Sequence, residues 1–182
     1  MYLYVIRLAR RVVGLIGFAL VAILVAFSLF IHLAPLTGHP LFIIAGGSME
    51  PSIPLGSLVI AIPIDVKTIG IGDVVTIRAD NGIVITHRVD RVVDIPEGRF
   101  FELKGDANRD VDASLVPARA IIGAAEQFVP YAGYGQIFLS SLPGLIATAS
   151  ALGTLILVYL FLAVLERPVR TVPGRAGTPT SP

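Results

Sequence analysis

The sequence contains no cysteine and no tryptophan among its 182 residues, and only 15% of them are charged. Without cysteine the chain has no disulfide framework, no thiolate zinc site, no iron–sulfur cluster and no cysteine nucleophile. The small charged fraction accompanies 54% hydrophobic residues and a mean hydropathy of +0.81, which is too apolar for an ordinary soluble domain. The composition therefore predicts a membrane protein with room for one compact domain of about 100 residues, and it excludes a large multidomain enzyme.

Two long stretches lack Asp, Glu, Lys and Arg altogether. The first covers residues 12–33, and as a helix these residues span about 33 Å, enough to cross the hydrocarbon core of a bilayer. No small-x-small cleavage site follows this run, so we expect an uncleaved transmembrane anchor. The second predicted span covers residues 143–165, and Pro143 suggests that its regular helix begins near Leu145.

Charge is distributed unevenly around these spans. Residues 1–11 carry a charge of +3 and residues 166–182 carry +2, whereas residues 34–142 hold 8 basic and 12 acidic side chains, a balance of −4. Because basic residues are retained on the cytoplasmic side, we expect both termini to be cytoplasmic and the middle domain to lie outside the cell membrane. An endoplasmic-reticulum membrane would give the equivalent topology. The proline- and glycine-rich end of the chain predicts a disordered tail. A net charge of only +1 predicts no overall attraction to nucleic acid.

The middle domain has the pattern of a β structure. Short β-branched runs are separated by Gly, Pro or Asn-Gly, and they lie at residues 58–62, 74–77, 82–89 and 100–103. Asn81-Gly82 predicts a tight hairpin because both residue types tolerate positive φ. The predicted architecture is a mainly β extracytoplasmic domain flanked by two transmembrane α-helices.

Three polar clusters in this domain carry side chains that could perform chemistry. They lie at residues 46–51, 86–89 and 104–112. A serine hydroxyl such as that of Ser48 needs a neighbouring base, and a histidine such as His87 suits that work when a carboxylate orients its ring. The third cluster offers the carboxylates Asp106, Asp110 and Asp112. Taken singly, each cluster is more often a turn or a solvated surface segment. No ligand spacing indicates a metal or an organic cofactor.

The order of the clusters and their residue types resemble the motifs of type I signal peptidases, over roughly residues 45–130. The similar segments, in the order of the family's boxes, are Gly47-Ser48-Met49-Glu50-Pro51, Gly72-Asp73-Val74-Val75, Ile85-Thr86-His87-Arg88-Val89 and Gly105-Asp106-Ala107-Asn108 continuing to Asp112. In the common bacterial branch a lysine precedes the arginine of the third box. Here that position is His87, which is typical of the endoplasmic-reticulum and archaeal branch.

The resemblance implies a signal-peptidase-like β fold and a role for each motif residue. Ser48 would be the nucleophile and His87 the general base, with Asp112 as the partner of His87 and Asp106 as essential support. The second asparagine of the family's last box is either replaced in register by Ala107 or displaced to Asn108. Asp110 therefore stays open as a third candidate for the orienting carboxylate.

The function implied by the resemblance is that of a membrane-bound serine endopeptidase. It would remove N-terminal signal peptides from secretory preproteins after small residues, at the lipid bilayer, without a cofactor, and with a translocon or accessory subunits as further partners. The apolar residues 41–44 and 60–62 would touch lipid or pair with an extended substrate, or else lie in the core. Lys104 is an alternative base. A dedicated peptidase for one or a few exported proteins and a noncatalytic membrane assembly subunit are the alternative functions.

Overall fold

The computed structural model describes residues 1–166, so the tail predicted at 166–182 lies outside the described residues except for Glu166. The predicted fold, a mainly β domain flanked by two apolar helices, is confirmed. Along the chain the elements are α1 (Tyr2–Leu33), β1 (Leu41–Ile43), β2 (Leu58–Ile62), β3 (Val74–Arg78), β4 (Val84–Ile95), β5 (Gly98–Lys104), β6 (Val116–Pro117), β7 (Ile121–Val129), α2 (Ala132–Ser140) and α3 (Leu142–Leu165). Short 3₁₀ helices cover Ala34–Thr37, Gly47–Met49 and Ala118–Ala120.

Helices α1 and α3 are both long and apolar enough to cross a membrane, with mean hydropathies of 2.8 and 2.2 in their most apolar windows. Helix α1 begins at Tyr2, because the basic segment that precedes the apolar run contains good helix formers and neither glycine nor proline. Helix α3 begins at Leu142 rather than near Leu145. Pro143 is tolerated there because the N–H groups of a first helical turn have no partner within the helix.

The first compact unit consists, among the described residues, of residues 1–23 and 149–166. Within it the start of α1 meets the end of α3. Arg10 Nη2 lies 3.2 Å from Glu166 Oε2, and the Arg10 guanidinium lies 5.7 Å from the centroid of the Tyr159 ring. An ion pair and a cation–π contact therefore join α1 to α3.

The second compact unit, residues 24–148, contains a seven-stranded sheet. The strand order is β1-β2-β7-β3-β4-β5-β6, and every neighbouring pair is antiparallel. Strand β7, which sequence reasoning did not predict, lies between β2 and β3. Its Gly123 is required by packing, because a Cβ atom there would lie 2.5 Å from the carbonyl oxygen of Ile62.

The predicted hairpin at Asn81-Gly82 connects β3 to β4, with a geometry different from the expected one. Gly82 has a φ of +82°, but Asn81 does not have a positive φ. The Asn81 carboxamide oxygen instead accepts a hydrogen bond from the Ile83 N–H at 3.0 Å, as an Asx turn does. The hairpin therefore needs one left-handed residue rather than two.

Two clusters of buried side chains form the core of the sheet unit. One is built on β3, β4 and β5, with Phe101 and Leu103 fully buried at its centre. The other lies beside the Gly47–Met49 helix and contains Ile44, Met49, Ile53, Val59 and Ala125. The second cluster includes Met49, which directly follows Ser48 in the chain.

Candidate active site

Ser48 lies in the 3₁₀ helix Gly47–Met49, on the connection between β1 and β2. The next residue, Met49, is only 1% exposed, and its carbonyl oxygen accepts a hydrogen bond from Ile53 N–H at 2.8 Å. Burial of Met49 therefore holds the segment in place while Ser48 itself stays partly exposed. The Ser-Met pair of the sequence thus combines a partly exposed hydroxyl with a buried apolar side chain.

His87 is carried by β4, which pairs with β3 on one side and with β5 on the other. Its Cα partner on β3 is Val75, and its side chain is only 9% exposed. The His87 Nε2 atom lies 3.0 Å from Ser48 Oγ, across 39 residues of chain. A strand paired on both sides thus aims the imidazole at the serine hydroxyl.

Asp112 lies on the other side of the imidazole. Its Oδ2 atom is 2.7 Å from His87 Nδ1. When Nδ1 carries the proton and donates a hydrogen bond to the Asp112 carboxylate, Nε2 is left free to accept the hydrogen bond of the Ser48 hydroxyl. The three side chains form the hydrogen-bonded order Ser–His–Asp, which is an arrangement suited to nucleophilic catalysis.

The segment after β5 packs directly against the serine. Ala107 N–H donates to the carbonyl oxygen of Ser48 at 2.8 Å. A Cβ atom on Gly105 would lie 2.6 Å from that oxygen and 2.9 Å from Ser48 Cβ. Gly105 is thus a position where only hydrogen fits, and the motif that contains it sets the position of the Ser48 backbone.

Among the described residues, Asp106 makes no hydrogen bond to His87. Its carboxylate instead forms a bidentate pair with Arg88. Arg88 Nε and Nη2 donate to its two oxygens at 2.8 and 2.7 Å, and Nη1 donates to the Gly72 carbonyl at 2.8 Å. Hydrogen bonds from the guanidinium hold the pKa of Asp106 below its ordinary value and raise the pKa of Arg88. Sequence reasoning missed this role of Arg88, although Arg88 stands next to His87 in the same motif.

Two other predicted candidates lie away from this arrangement. Asp110 is exposed and makes no hydrogen bond to His87 among residues 1–166. Lys104 is the Cα partner of Arg88 on β5 and borders a cleft of about 440 Å³ whose lining includes neither Ser48 nor His87. Over the described part of the chain, no group of three or more His, Asp or Glu side chains is arranged to hold a metal ion.

A groove of about 300 Å³ runs past the serine. One wall comes from β1 and the residues that follow it, and the other from the start of β4. The lining residues are Phe42, Ile43, Ile44, Ala45, Gly46, Ser48, Met49, Ile83, Val84, Ile85 and Thr86. Because β1 is the edge strand of the sheet, its outer backbone groups are available for an extended chain lying in this groove.

Known proteins similar to this chain share one activity. The chain is 33% identical over 118 residues to the signal peptidase complex catalytic subunit sec11 of Penicillium rubens, an alignment that covers 60% of this chain and 67% of that protein. It is 36% identical over 80 residues to signal peptidase I W of Bacillus subtilis, covering 43% and 42%. The human signal peptidase complex catalytic subunit SEC11C is 30% identical over 119 residues, covering 59% and 62%. No protein-family model matches the chain.

The chain belongs to the signal peptidase I family. The predicted resemblance is therefore confirmed. As a signal peptidase homologue with two apolar helices, the chain is a membrane-associated hydrolase of the peptidase type, connected with signal peptide processing. The signal peptidase relatives align with about 60% of the chain in the Penicillium and human cases.

Proposed function

We propose that this chain is a membrane-bound serine endopeptidase, a signal peptidase I, that removes N-terminal signal peptides from secreted preproteins. The observation that carries the proposal is the hydrogen-bonded order of Ser48, His87 and Asp112, with separations of 3.0 and 2.7 Å. A noncatalytic assembly subunit has no need for such an order.

In the proposed reaction Ser48 Oγ attacks the carbonyl carbon of the scissile peptide bond while His87 Nε2 takes the hydroxyl proton. The Asp112 carboxylate stabilises the imidazolium that forms. His87 then gives the proton to the leaving nitrogen, which releases the mature protein and leaves the signal peptide as an ester on Ser48. Water, deprotonated by His87, hydrolyses the ester and restores the serine.

The negative charge of the tetrahedral intermediate needs hydrogen-bond donors near Ser48. The first N–H groups of a short helix have no carbonyl partner within that helix. Those of the Gly47–Met49 helix are the donors that we assign to the oxyanion. Packing of Gly105 and Ala107 against the Ser48 backbone supports this assignment, because it holds the donors in place before substrate arrives.

The substrate would bind as an extended strand along the outer edge of β1. Backbone pairing to an edge strand provides affinity, and the groove beside it selects side chains. The groove next to Ser48 is lined mostly by aliphatic side chains and by Ala45 and Gly46, which fits short apolar residues before the scissile bond. Asp106 would act at a distance from the chemistry, by holding Arg88 and thereby the strand that carries His87.

We further propose a multi-pass location in the cell membrane, with both termini cytoplasmic and the β domain outside. The basic segments at both ends of the chain and the acidic balance between them support this orientation. The similar Penicillium and human proteins are catalytic subunits of a complex. Accessory subunits or a translocon are therefore proposed partners of this chain.

The decisive experiment is cleavage of a purified preprotein by the full chain in lipid, with the new N-terminus mapped. Wild type should cut after a small residue, and Ser48→Ala should lower kcat by about 10⁴-fold or more. Ser140→Ala is the matched control, because Ser140 is exposed on α2 and outside the proposed machinery.

Each other outcome contradicts a different part of the proposal. Cleavage that survives Ser48→Ala would remove Ser48 as the nucleophile. A wild-type chain that cuts one exported protein but none of a panel of preproteins would be a dedicated peptidase. Absence of cleavage with every substrate, in membranes that contain the native partners, would favour the noncatalytic subunit.

A further inference from the structure

The paired ends of α1 and α3 enclose a groove that the proposed peptidase reaction does not use. A cavity of about 410 Å³ is lined by Val13, Gly14, Gly17, Phe18 and Val21 of α1 and by Leu152, Leu155, Ile156 and Tyr159 of α3. A second cavity of about 390 Å³ is lined by Arg10, Arg11, Gly14, Leu15 and Tyr159. The two cavities share Gly14 and Tyr159 in their linings and so lie side by side, and we call them together the helix-pair groove.

The helix-pair groove has two parts. The shaft is its apolar part, beside Gly14 and Gly17 of α1, and the mouth is its basic end, at Arg10 and Arg11. At the mouth Glu166 pairs with Arg10 at 3.2 Å. Arg11 is exposed and makes no ion pair within residues 1–166. The mouth therefore keeps a net positive charge that the described side chains leave uncompensated.

Two glycines of α1 open the shaft. A Cβ atom on Gly14 would lie 3.4 Å from the Tyr159 ring, whereas a Cβ atom on Gly17 would meet nothing within 4 Å. Space is thus left beside α1 at Gly17, about two helical turns along the helix from the arginines. An occupant has to be apolar along this shaft and anionic at the mouth.

We propose that the helix-pair groove holds one anionic phospholipid, with its phosphate at Arg10 and Arg11 and an acyl chain along Gly14 and Gly17. Basic pockets between transmembrane helices bind anionic lipid headgroups in this way. A signal peptide is a poorer occupant because its positively charged first segment would meet the two arginines. The inference does not depend on the peptidase reaction.

The headgroup part of the proposal is tested with the full chain reconstituted in bilayers of mixed phosphatidylglycerol and phosphatidylcholine. Lipids that stay bound after release from detergent are counted by native mass spectrometry. Wild type should retain one phosphatidylglycerol in preference to phosphatidylcholine, and Arg11→Gln should lower that preference about fivefold. Arg7→Gln removes the same charge from an exposed position outside the groove lining and should leave the preference unchanged.

The acyl-chain part is tested by filling the shaft. Gly17→Leu should lose the retained lipid, while Gly153→Leu should keep it, because Gly153 also has open space around its Cβ position but does not line the groove.

Equal effects of Arg7→Gln and Arg11→Gln would overturn the proposal in favour of diffuse surface charge. Displacement of the lipid by a synthetic signal peptide would overturn it in favour of substrate. Preprotein cleavage by each variant, measured in parallel, reports separately on the peptidase proposal.

Discussion

The backbone N–H of Asp112 donates to the carbonyl oxygen of Leu103 at 2.8 Å. Leu103 is fully buried on β5, so this bond ties a loop residue to the rigid sheet. The same residue presents its carboxylate to His87 at 2.7 Å. The geometry of a loop carboxylate is thus determined by a core strand.

We expect Asp112→Asn to lower kcat by about 10⁴-fold, because an amide neither favours the needed imidazole tautomer nor stabilises the imidazolium. The matched control is Asp110→Asn, which changes an exposed carboxylate two positions away and should leave kcat nearly unchanged. Steady-state cleavage of a preprotein measures both. Equal losses in the two variants would mean that the loop, rather than one carboxylate, is what matters.

Gly105→Ala should damage the site while leaving the fold intact. The added methyl would meet the Ser48 carbonyl oxygen at 2.6 Å, so the Ser48 backbone has to move. A displacement of this kind should lower kcat by about 10²-fold. Gly70→Ala is the control, since its nearest neighbour would be 4.0 Å away. Circular dichroism of both variants should match wild type, and a normal kcat for Gly105→Ala would contradict the close approach.

The Arg88–Asp106 pair should make the free energy of unfolding depend on pH in the acid range. Its hydrogen bonds hold the pKa of Asp106 below 3.8, so the pair stabilises the fold fully above that pH and less as the pH falls through the lower folded value. Asp106→Asn should lower the melting temperature by about 2–4 °C at neutral pH, as a loss of about 1 kcal/mol would in a chain of this size.

The same difference in melting temperature between wild type and Asp106→Asn should narrow as the pH is lowered below 3.8. Asp110→Asn serves as the control, and it should differ little from wild type at any pH because Asp110 forms no ion pair within residues 1–166. A difference that widens in acid would show that the pair is not the source of the effect.

The proposed orientation is open to a clean labelling test because the chain has no cysteine. In intact cells a membrane-impermeant maleimide should label Ser114→Cys, which lies in an exposed loop of the β domain. Leu3→Cys, 50% exposed near the start of α1, should react only after the membrane is opened. Labelling of Leu3→Cys alone in intact cells would reverse the topology.

Local sequence pattern predicted the strands whose side chains are β-branched, and β2 has the expected bounds. Strand β7 was missed because its centre is Gly123-Ala124-Ala125 and polar residues follow, so neither bulk nor alternation marks it. Helix α2 was missed because Gly133 and Gly135 disfavour a helix. Glycine is needed at position 133 because α2 packs closely against the Gly56 backbone there, and a Cβ atom would lie 2.7 Å from the Gly56 carbonyl oxygen.

The residue types and motifs of the candidate site were predictable from the sequence, but its pairings were predictable only in part. The order of the motifs predicted that Ser48 and His87 lie together, and in the structure Ser48 Oγ lies 3.0 Å from His87 Nε2. The resemblance put Asp112 forward as the partner of His87 but left Asp110 open, because the choice depends on how the loop after β5 is bonded to Leu103. The Arg88–Asp106 pair likewise depends on strand register, which the sequence does not reveal.

The position of β7 sets when the site can form during synthesis. Strand β2, which follows Ser48, and strand β3, which leads to His87, are not paired with each other, and both pair with β7. A nascent chain made only as far as Ala120 contains Ser48, His87 and Asp112 but lacks the strand that joins the two halves of the sheet. A chain that stops before β7 is therefore expected to leave the Ser48 half and the His87 half of the sheet unjoined, although it already contains every residue of the proposed site.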